Sequence, residues 1–148
     1  MSSEAEYRKY LLSEWHRNML FHVERIENKL PEFSGIPDLH ISGGATSDIL
    51  LELKWFGTGS TAKYPFAEDV LKRLEPSQKR WFTMRRDLGA SHNVFVMAGT
   101  PTAHFIYKPV LEDGPLKLEL DRTVPFGGAG RILDILDEIA TNAFNGTR

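Results

Sequence analysis

The first part of the chain has apolar residues at helical intervals. Ser3 and Glu6 have the spacing of a capping box, and apolar residues then recur every four positions at Tyr7, Leu11, Trp15 and Met19. This pattern predicts a first helix from about residue 4 to 20. The segment from Phe21 to Asn28 is ambiguous between a continuing helix and a short strand, because its apolar residues fit neither period.

The middle of the chain has the pattern of a β-hairpin. Leu39 to Ile41 and Ile49 to Trp55 are predicted strands, and residues 42–47, which include two glycines, form the predicted turn between them. Residues 57–66 are rich in Gly, Ser and Thr and are predicted to form a loop. Further predicted elements are a helix from Pro76 to Leu88, strands at Val94–Ala98, His104–Tyr107 and Leu116–Leu120, and a last helix from Ile132 to Phe144.

These elements predict an α/β protein with a mixed β-sheet flanked by helices. The order is α-β-β-α-β-β with a C-terminal addition, and a chain of 148 residues with 41% hydrophobic residues suits a single domain over residues 1–148. In the helix that begins at Pro76, Trp81, Met84 and Leu88 form the predicted apolar stripe, and Gly89 is placed to end the helix.

Composition excludes several kinds of site. The chain has no cysteine, so disulfides, zinc–thiolate sites and thiolate-held iron–sulfur clusters are ruled out, and a metal would need oxygen or imidazole ligands. The five histidines have no metal-like spacing. No apolar run is long enough for a transmembrane helix, and the N-terminus does not resemble a signal peptide, which predicts a soluble, intracellular protein without membrane partners.

Charge is unevenly distributed along the sequence. The net charge is only −2, yet residues 72–86 contain six basic side chains against one acid. Such a patch suits contact with phosphates, although a run of charges is more often simply a solvated helix surface.

The most informative pattern is Asp38 followed fourteen residues later by Glu52. If the hairpin turn is centred on Ala45, each carboxylate lies seven residues from it, and the two face one another across the antiparallel pair. Directly opposed residues have Cβ atoms roughly 4.5–5.5 Å apart. Two carboxylates this close repel each other unless a cation lies between them, and oxygen ligands suit Mg²⁺ or Mn²⁺.

Lys54 follows Glu52 by two residues, so both side chains are expected on one face of the strand. A bound metal ion that polarises a phosphoryl oxygen and lowers the pKa of a bound water, beside a lysine ammonium that stabilises negative charge, suits phosphodiester hydrolysis. The carbonyl of Leu53 is a natural additional ligand. The bare pattern is not specific, because an exposed Glu/Lys pair on a strand is common.

The wider context of these residues resembles the PD-(D/E)XK nuclease superfamily, in particular compact phage and viral proteins near the VRR-NUC and Holliday-junction-resolvase branches. The resemblance extends over residues 25–97 and rests on short segments in a fixed order: Arg25-Ile26-Glu27-Asn28, Gly35-Ile36-Pro37-Asp38, Leu51-Glu52-Leu53-Lys54 and Pro76-Ser77-Gln78 with Trp81. It implies a restriction-endonuclease-like core.

The resemblance also implies roles for individual residues. Asp38 and Glu52 would be metal ligands, Lys54 the catalytic lysine, and Gln78 a supporting residue at the start of the following helix. Glu27 would be the additional acid; in many relatives that acid lies on the first helix, where Glu14 and Glu6 are available. For DNA binding, Arg85 lies seven residues beyond Gln78 and hence on its helical face, with Lys79 as a second candidate.

The implied function is a Mg²⁺-dependent DNA endonuclease, with Mn²⁺ able to substitute. A four-way or other branched DNA is the first choice of substrate, a nicking or flap-type repair nuclease is the second, and a non-catalytic DNA-binding protein is the rival from another class. Two incisions in one junction predict a homodimer. The faces expected to form it are those of the first helix and the last helix, with Tyr10, Leu11, Trp15, Met19, Ile132, Leu136 and Ile139. The alternative is that these faces cover the sheet of their own subunit.

Overall fold

The computed structural model describes residues 1–26, 35–44, 48–59, 62 and 64–146. Its elements in chain order are α1 (Glu4–Trp15), β1 (Phe21–Arg25), β2 (Leu39–Gly43), β3 (Asp48–Trp55), α2 (Ala67–Arg73), α3 (Pro76–Asp87), β4 (Val94–Gly99), β5 (Ala103–Pro109), β6 (Leu118–Pro125), a 3₁₀ helix (Phe126–Arg131) and α4 (Ile132–Gly146).

The strands form one six-stranded sheet in the order β1-β2-β3-β4-β5-β6. β3 and β4 are parallel, because α2 and α3 connect them as a crossover, and every other neighbouring pair is antiparallel. The predicted mixed α/β sheet flanked by helices is confirmed. No helix in the described part of the chain is long and apolar enough to cross a bilayer.

Helices cover both faces of the sheet, and β3 supplies residues to each. Ile49, Leu51 and Leu53 pack in a core with α1 and α4. Their neighbours in the strand face the other way, toward a second core that contains Val70 of α2 and Phe82 of α3. Glu52 and Lys54 therefore emerge on the face that α2 and α3 cover.

The first helix is shorter than the sequence predicts. Ser3 caps α1 by accepting a hydrogen bond from the Glu6 N–H, as the capping-box spacing indicates, but the helix ends at Trp15. Met19 is 94% exposed, so its assignment to the apolar face of the helix was wrong. The side chain of Asn18 accepts hydrogen bonds from the N–H groups of Leu20 and Phe21, which turns the chain into β1.

The predicted apolar stripe of α3 was also wrong in part. Met84 and Leu88 are 47% and 72% exposed, whereas Phe82 and Arg86 are buried. Arg86 can be buried because its guanidinium donates hydrogen bonds to the carbonyl oxygens of Gly114 and Pro115, at 2.8 and 3.4 Å. The side chains of Met84 and of Leu88, the C-cap residue, therefore face the surface.

The faces predicted for dimerisation are used within the chain itself. Leu11, Trp15, Ile132, Leu136 and Ile139 are all at most 4% exposed and belong to one core. These five side chains are therefore not available for the dimer contact expected through α1 and α4. Both helices pack on the sheet of their own subunit, where they bury the apolar side chains of β2 and β3.

Candidate active site

Asp38 and Glu52 lie opposite one another, as the hairpin spacing predicts. The register pairs Leu39 with Leu51 and Ser42 with Asp48, so continuing it by one residue places Asp38 across from Glu52. The Asp38 carboxylate accepts a hydrogen bond from the N–H of Leu53 at 3.3 Å. The backbone carbonyl of Asp38 accepts another hydrogen bond from the N–H of Ile26, just beyond β1. The start of β2 is thereby fixed between its two neighbouring strands.

The Glu52 carboxylate is buried and electrostatically strained. It is 2% exposed, and its pKa is raised to about 8, because burial penalises the charged form and the Asp38 carboxylate adds repulsion, while the Lys54 ammonium partly opposes both. Its Oε1 atom has no hydrogen-bond partner among the described residues. A buried carboxylate oxygen without a partner beside a second carboxylate is what an oxygen-liganded divalent cation would satisfy.

Lys54 connects this carboxylate to the start of α3. Its Nζ lies 3.6 Å from Glu52 Oε2 and donates a hydrogen bond to Gln78 Oε1 at 3.3 Å. The same Gln78 oxygen accepts from the N–H of Glu75 at 2.9 Å as part of the capping box of α3. Gln78 thus caps the helix and holds the ammonium, and Lys54 itself is only 5% exposed.

A close backbone contact holds the Asp38 segment against the same helix. Gly35 has a φ of +95°, and a Cβ at this position would collide with the backbone carbonyl of Ser77 in the first turn of α3. Only glycine allows both this conformation and this approach. The short segment from Gly35 to Asp38 therefore packs on the helix that carries Gln78.

Replacing Gly35 with Ala should disturb the site from outside it. We expect a loss of unfolding free energy of about 2–4 kcal/mol, which combines the left-handed backbone with the collision, together with a clear loss of cleavage. Gly59→Ala is the matched control. Gly59 also has a positive φ, +81°, but no atom of the described residues lies within 4 Å of a built Cβ, so Gly59→Ala should lose about 1 kcal/mol and keep activity. Equal losses of unfolding free energy for the two variants, measured by chemical denaturation, would contradict the close contact of Gly35 with Ser77.

The structure identifies an acid that the sequence analysis missed. Glu4, in the first turn of α1, contributes to the raised pKa of Glu52 and forms an ion pair with Arg73 at 3.2 Å. Arg73 also donates a hydrogen bond to the carbonyl of Trp55 at the end of β3. Glu14 and Glu6, the first-helix acids considered from the sequence, are exposed and interact with Tyr10 and Ser2 respectively, so Glu4 is the described first-helix acid that acts electrostatically on Glu52.

Other predicted site residues are placed as follows. Glu27 lies outside the described residues. Arg85 is at the far end of α3 from Gln78, where it donates hydrogen bonds to the Ala90 carbonyl and the Asn93 side chain. Lys79 lines a surface groove along α3. Neither basic residue contacts the carboxylate pair, and the described part of the chain contains no group of three or more acidic or histidine side chains arranged to hold a metal.

Comparison with known proteins gives one solved structure. No protein-family model matches the chain, and no curated protein matches it significantly. The structural match is Hjc, a Holliday junction resolvase from the archaeal hyperthermophile Archaeoglobus fulgidus, at 16% sequence identity and a TM-score of 0.46, over 89% of this chain and 98% of that one. At this level the likeness carries no information about the chemistry of this chain.

Proposed function

We propose that the chain is a divalent-cation-dependent DNA endonuclease that hydrolyses phosphodiester bonds. The observation that carries the proposal is the opposed Asp38–Glu52 pair. Glu52 has a buried oxygen without a hydrogen-bond partner in the described part of the chain, and the Lys54 ammonium lies 3.6 Å from the same carboxylate. The family resemblance of the sequence supports the same assignment.

Mg²⁺ is the cation that these donors suit best, and Mn²⁺ should substitute. The ligands would be the carboxylates of Asp38 and Glu52 and the carbonyl of Leu53. The N–H and C=O of one residue in a strand point toward the same neighbour, so the Leu53 carbonyl faces the side on which its N–H meets Asp38. When bound, the cation supplies polarisation of a phosphoryl oxygen and activation of water.

The remaining residues act around this pair. Lys54 places a positive charge where negative charge develops on the phosphoryl group, and Gln78 holds the ammonium in that position. Glu27 stays a candidate for an additional acid, since Ile26, its neighbour in sequence, is hydrogen-bonded to Asp38. The ion pair of Glu4 and Arg73 lies at the end of β3 next to Lys54, where Arg73 also donates a hydrogen bond to the Trp55 carbonyl.

A four-way DNA junction is the substrate that we propose first, with two copies of the chain making the two incisions. Lys79 and Arg85 remain the candidate phosphate contacts. Cleavage should be assayed on matched synthetic four-way, flap, nicked and linear DNA and on RNA. Preference for the junction supports a resolvase, preference for the flap or nicked substrate supports a repair nuclease, and tight binding without any cleavage supports the non-catalytic alternative.

Substitution of Lys54 should affect turnover, whereas substitution of the basic residues of α3 should affect binding of DNA. Lys54→Met should lower turnover by about 10²–10³-fold, with little change in affinity for DNA, because it removes charge at the reacting group. Lys79→Ala should weaken binding and reduce its salt dependence by about one counterion while turnover at saturation is kept. Arg85→Ala needs a stability control, because it also removes hydrogen bonds to the loop after α3. Equal losses of affinity in all three would contradict this division.

A further inference from the structure

Arg73, the last residue of α2, reaches the end of β3 beside the carboxylate site. Its Nη2 donates hydrogen bonds to the carbonyl oxygen of Trp55 and to the Glu4 carboxylate, both at 3.2 Å. Its guanidinium carbon lies 4.7 Å from the centre of the buried Phe56 ring, which is a cation–π contact. A carbonyl, a carboxylate and an aromatic ring thus hold this guanidinium in place.

The alternation of β3 places Arg73 on the same edge of the strand as the proposed metal ligands. The N–H of Leu53 points toward β2, where the Asp38 carboxylate accepts its hydrogen bond. Trp55 follows Leu53 by two residues, so its carbonyl points to the same side of the strand. The pairing of β2 with β3 ends at Leu51, so the Trp55 carbonyl has no partner in β2 and binds Arg73 instead.

The spacing along β3 relates this arginine to the reacting phosphate. Carbonyl groups two residues apart on one edge of a strand are separated by roughly 6–7 Å. The phosphates of one DNA strand follow one another at about 3.4 Å along the helix axis, so this separation corresponds to one or two nucleotides. The proposed function puts the cleaved phosphate near the Leu53 carbonyl, and a phosphate one or two nucleotides away would then lie at Arg73.

Arg73 has the exposure and the donors that a phosphate contact needs. Its side chain is 46% exposed, and its Nε and Nη1 groups have no acceptor among the described residues. A charge-assisted hydrogen bond from arginine to phosphate is short and strong, and a guanidinium that is already held in place loses little conformational freedom on forming it. Glu4 binds Nη2, so it orients the guanidinium and leaves Nη1 available.

We infer that Arg73 binds a DNA phosphate next to the cleaved one and thereby positions the strand across the carboxylate pair. The inference deepens the proposed function and rests on it for the position of the cleaved phosphate. Lys79 and Arg85 are candidate contacts farther along α3, whereas Arg73 is hydrogen-bonded to β3 itself. A guanidinium that only stabilised the end of the sheet would make the same internal contacts, so the test must probe the phosphate directly.

Uncharged phosphates locate the contact. Synthetic DNA of a kind that the wild type cleaves is prepared with a single methylphosphonate at each position near the cut, and single-turnover cleavage in Mg²⁺ is measured over a range of protein concentrations. At one position the methylphosphonate should raise the half-saturating protein concentration about 10-fold or more, because a charge-assisted hydrogen bond is lost. Arg73→Gln should raise it by a similar factor on unmodified DNA, with no further loss at that position and the usual losses at the others.

Arg122→Gln is the matched control. Arg122 is 39% exposed and has a glutamate partner, Glu138, but it lies on β6 at the far edge of the sheet. This variant should leave the half-saturating concentration and every methylphosphonate effect unchanged. Arg73→Lys keeps the charge but not the planar fork, so it should recover only part of the affinity. Melting temperatures establish that each variant is folded in the assay, and Arg73→Lys carries the comparison if Arg73→Gln is not.

The outcomes separate this inference from the proposed function. If the losses from Arg73→Gln and from the methylphosphonates multiply at every position, Arg73 contacts no phosphate, and the inference is overturned while the proposed function stands. If the wild type cleaves no DNA, the proposed function fails, and the contact is measured as binding to duplex DNA in chelator. There Arg73→Gln should lower the salt dependence of binding by about one counterion and Arg122→Gln should not. An unchanged salt dependence for Arg73→Gln would overturn the inference.

Discussion

Replacing Asp38 with Asn should abolish DNA cleavage in Mg²⁺, with a loss of at least ~10³-fold in rate, which corresponds to about 4 kcal/mol of transition-state stabilisation. The physical reason is that Asp38 provides one of two opposed carboxylates, and an amide is a much weaker ligand for a hard cation. Asp38 is only half-buried, and Asn keeps the shape of the side chain and an oxygen that can accept the hydrogen bond from Leu53, so folding should be retained.

The control for this variant lies on the neighbouring strand. Asp48→Asn changes an exposed carboxylate at the other end of β3, where it pairs with His40 rather than with the site. It should cut supercoiled plasmid at the wild-type rate. If Asp38→Asn also cut at that rate while correctly folded, the assignment of the carboxylate pair would be wrong.

Replacing Glu52 with Gln should stabilise the metal-free protein at pH 8 while it abolishes cleavage. The pKa of Glu52 is raised from the ordinary value of 4.5 to about 8 in the folded state. A raised carboxylate pKa costs no stability below pH 4.5, and the cost grows as the pH rises toward 8 and the buried group must ionise. The unfolding free energy of Glu52→Gln should therefore exceed that of the wild type by roughly 4 kcal/mol at most at pH 8.

Chemical denaturation in the presence of a chelator measures this effect. The wild type should lose unfolding free energy between pH 5 and about 8, and Glu52→Gln should lose much less, so the two curves converge at low pH. Addition of Mg²⁺ should stabilise the wild type and leave the variant unchanged. Glu119→Gln, an exposed carboxylate, should follow the wild type. Parallel curves for wild type and Glu52→Gln would show that Glu52 is not strained.

The sequence predicted the hairpin and its register because both depend on local signals. Asp38 and Glu52 are equally far in sequence from a turn centred on position 45, and the glycines at positions 43 and 44 mark the end of β2, so their facing placement followed from spacing alone. The two-residue spacing of Glu52 and Lys54 put both side chains on one face. The contact of Lys54 with Gln78 followed only from the family resemblance, since 24 residues separate the two.

Other features depend on contacts that are distant in sequence. Met84 and Leu88 match a helical stripe as well as Phe82 does, but α3 buries Phe82 in the core and Arg86 against carbonyl oxygens near residue 114, which leaves Met84 and Leu88 outward. Glu4 resembles an ordinary acid at a helix N-terminus, and its proximity to Glu52 results from the packing of α1 against β3. No periodicity or spacing in the sequence contains this information.

The central claim is that this chain hydrolyses DNA by means of a divalent cation held at Asp38 and Glu52. The most direct measurement is the rate at which the folded wild type nicks supercoiled plasmid as the Mg²⁺ concentration is raised from zero in a chelated buffer. We predict no nicking without the cation, a saturable increase with Mg²⁺ or Mn²⁺, and no increase for Asp38→Asn. Nicking that persists in excess chelator, or its absence with either cation, would contradict the claim.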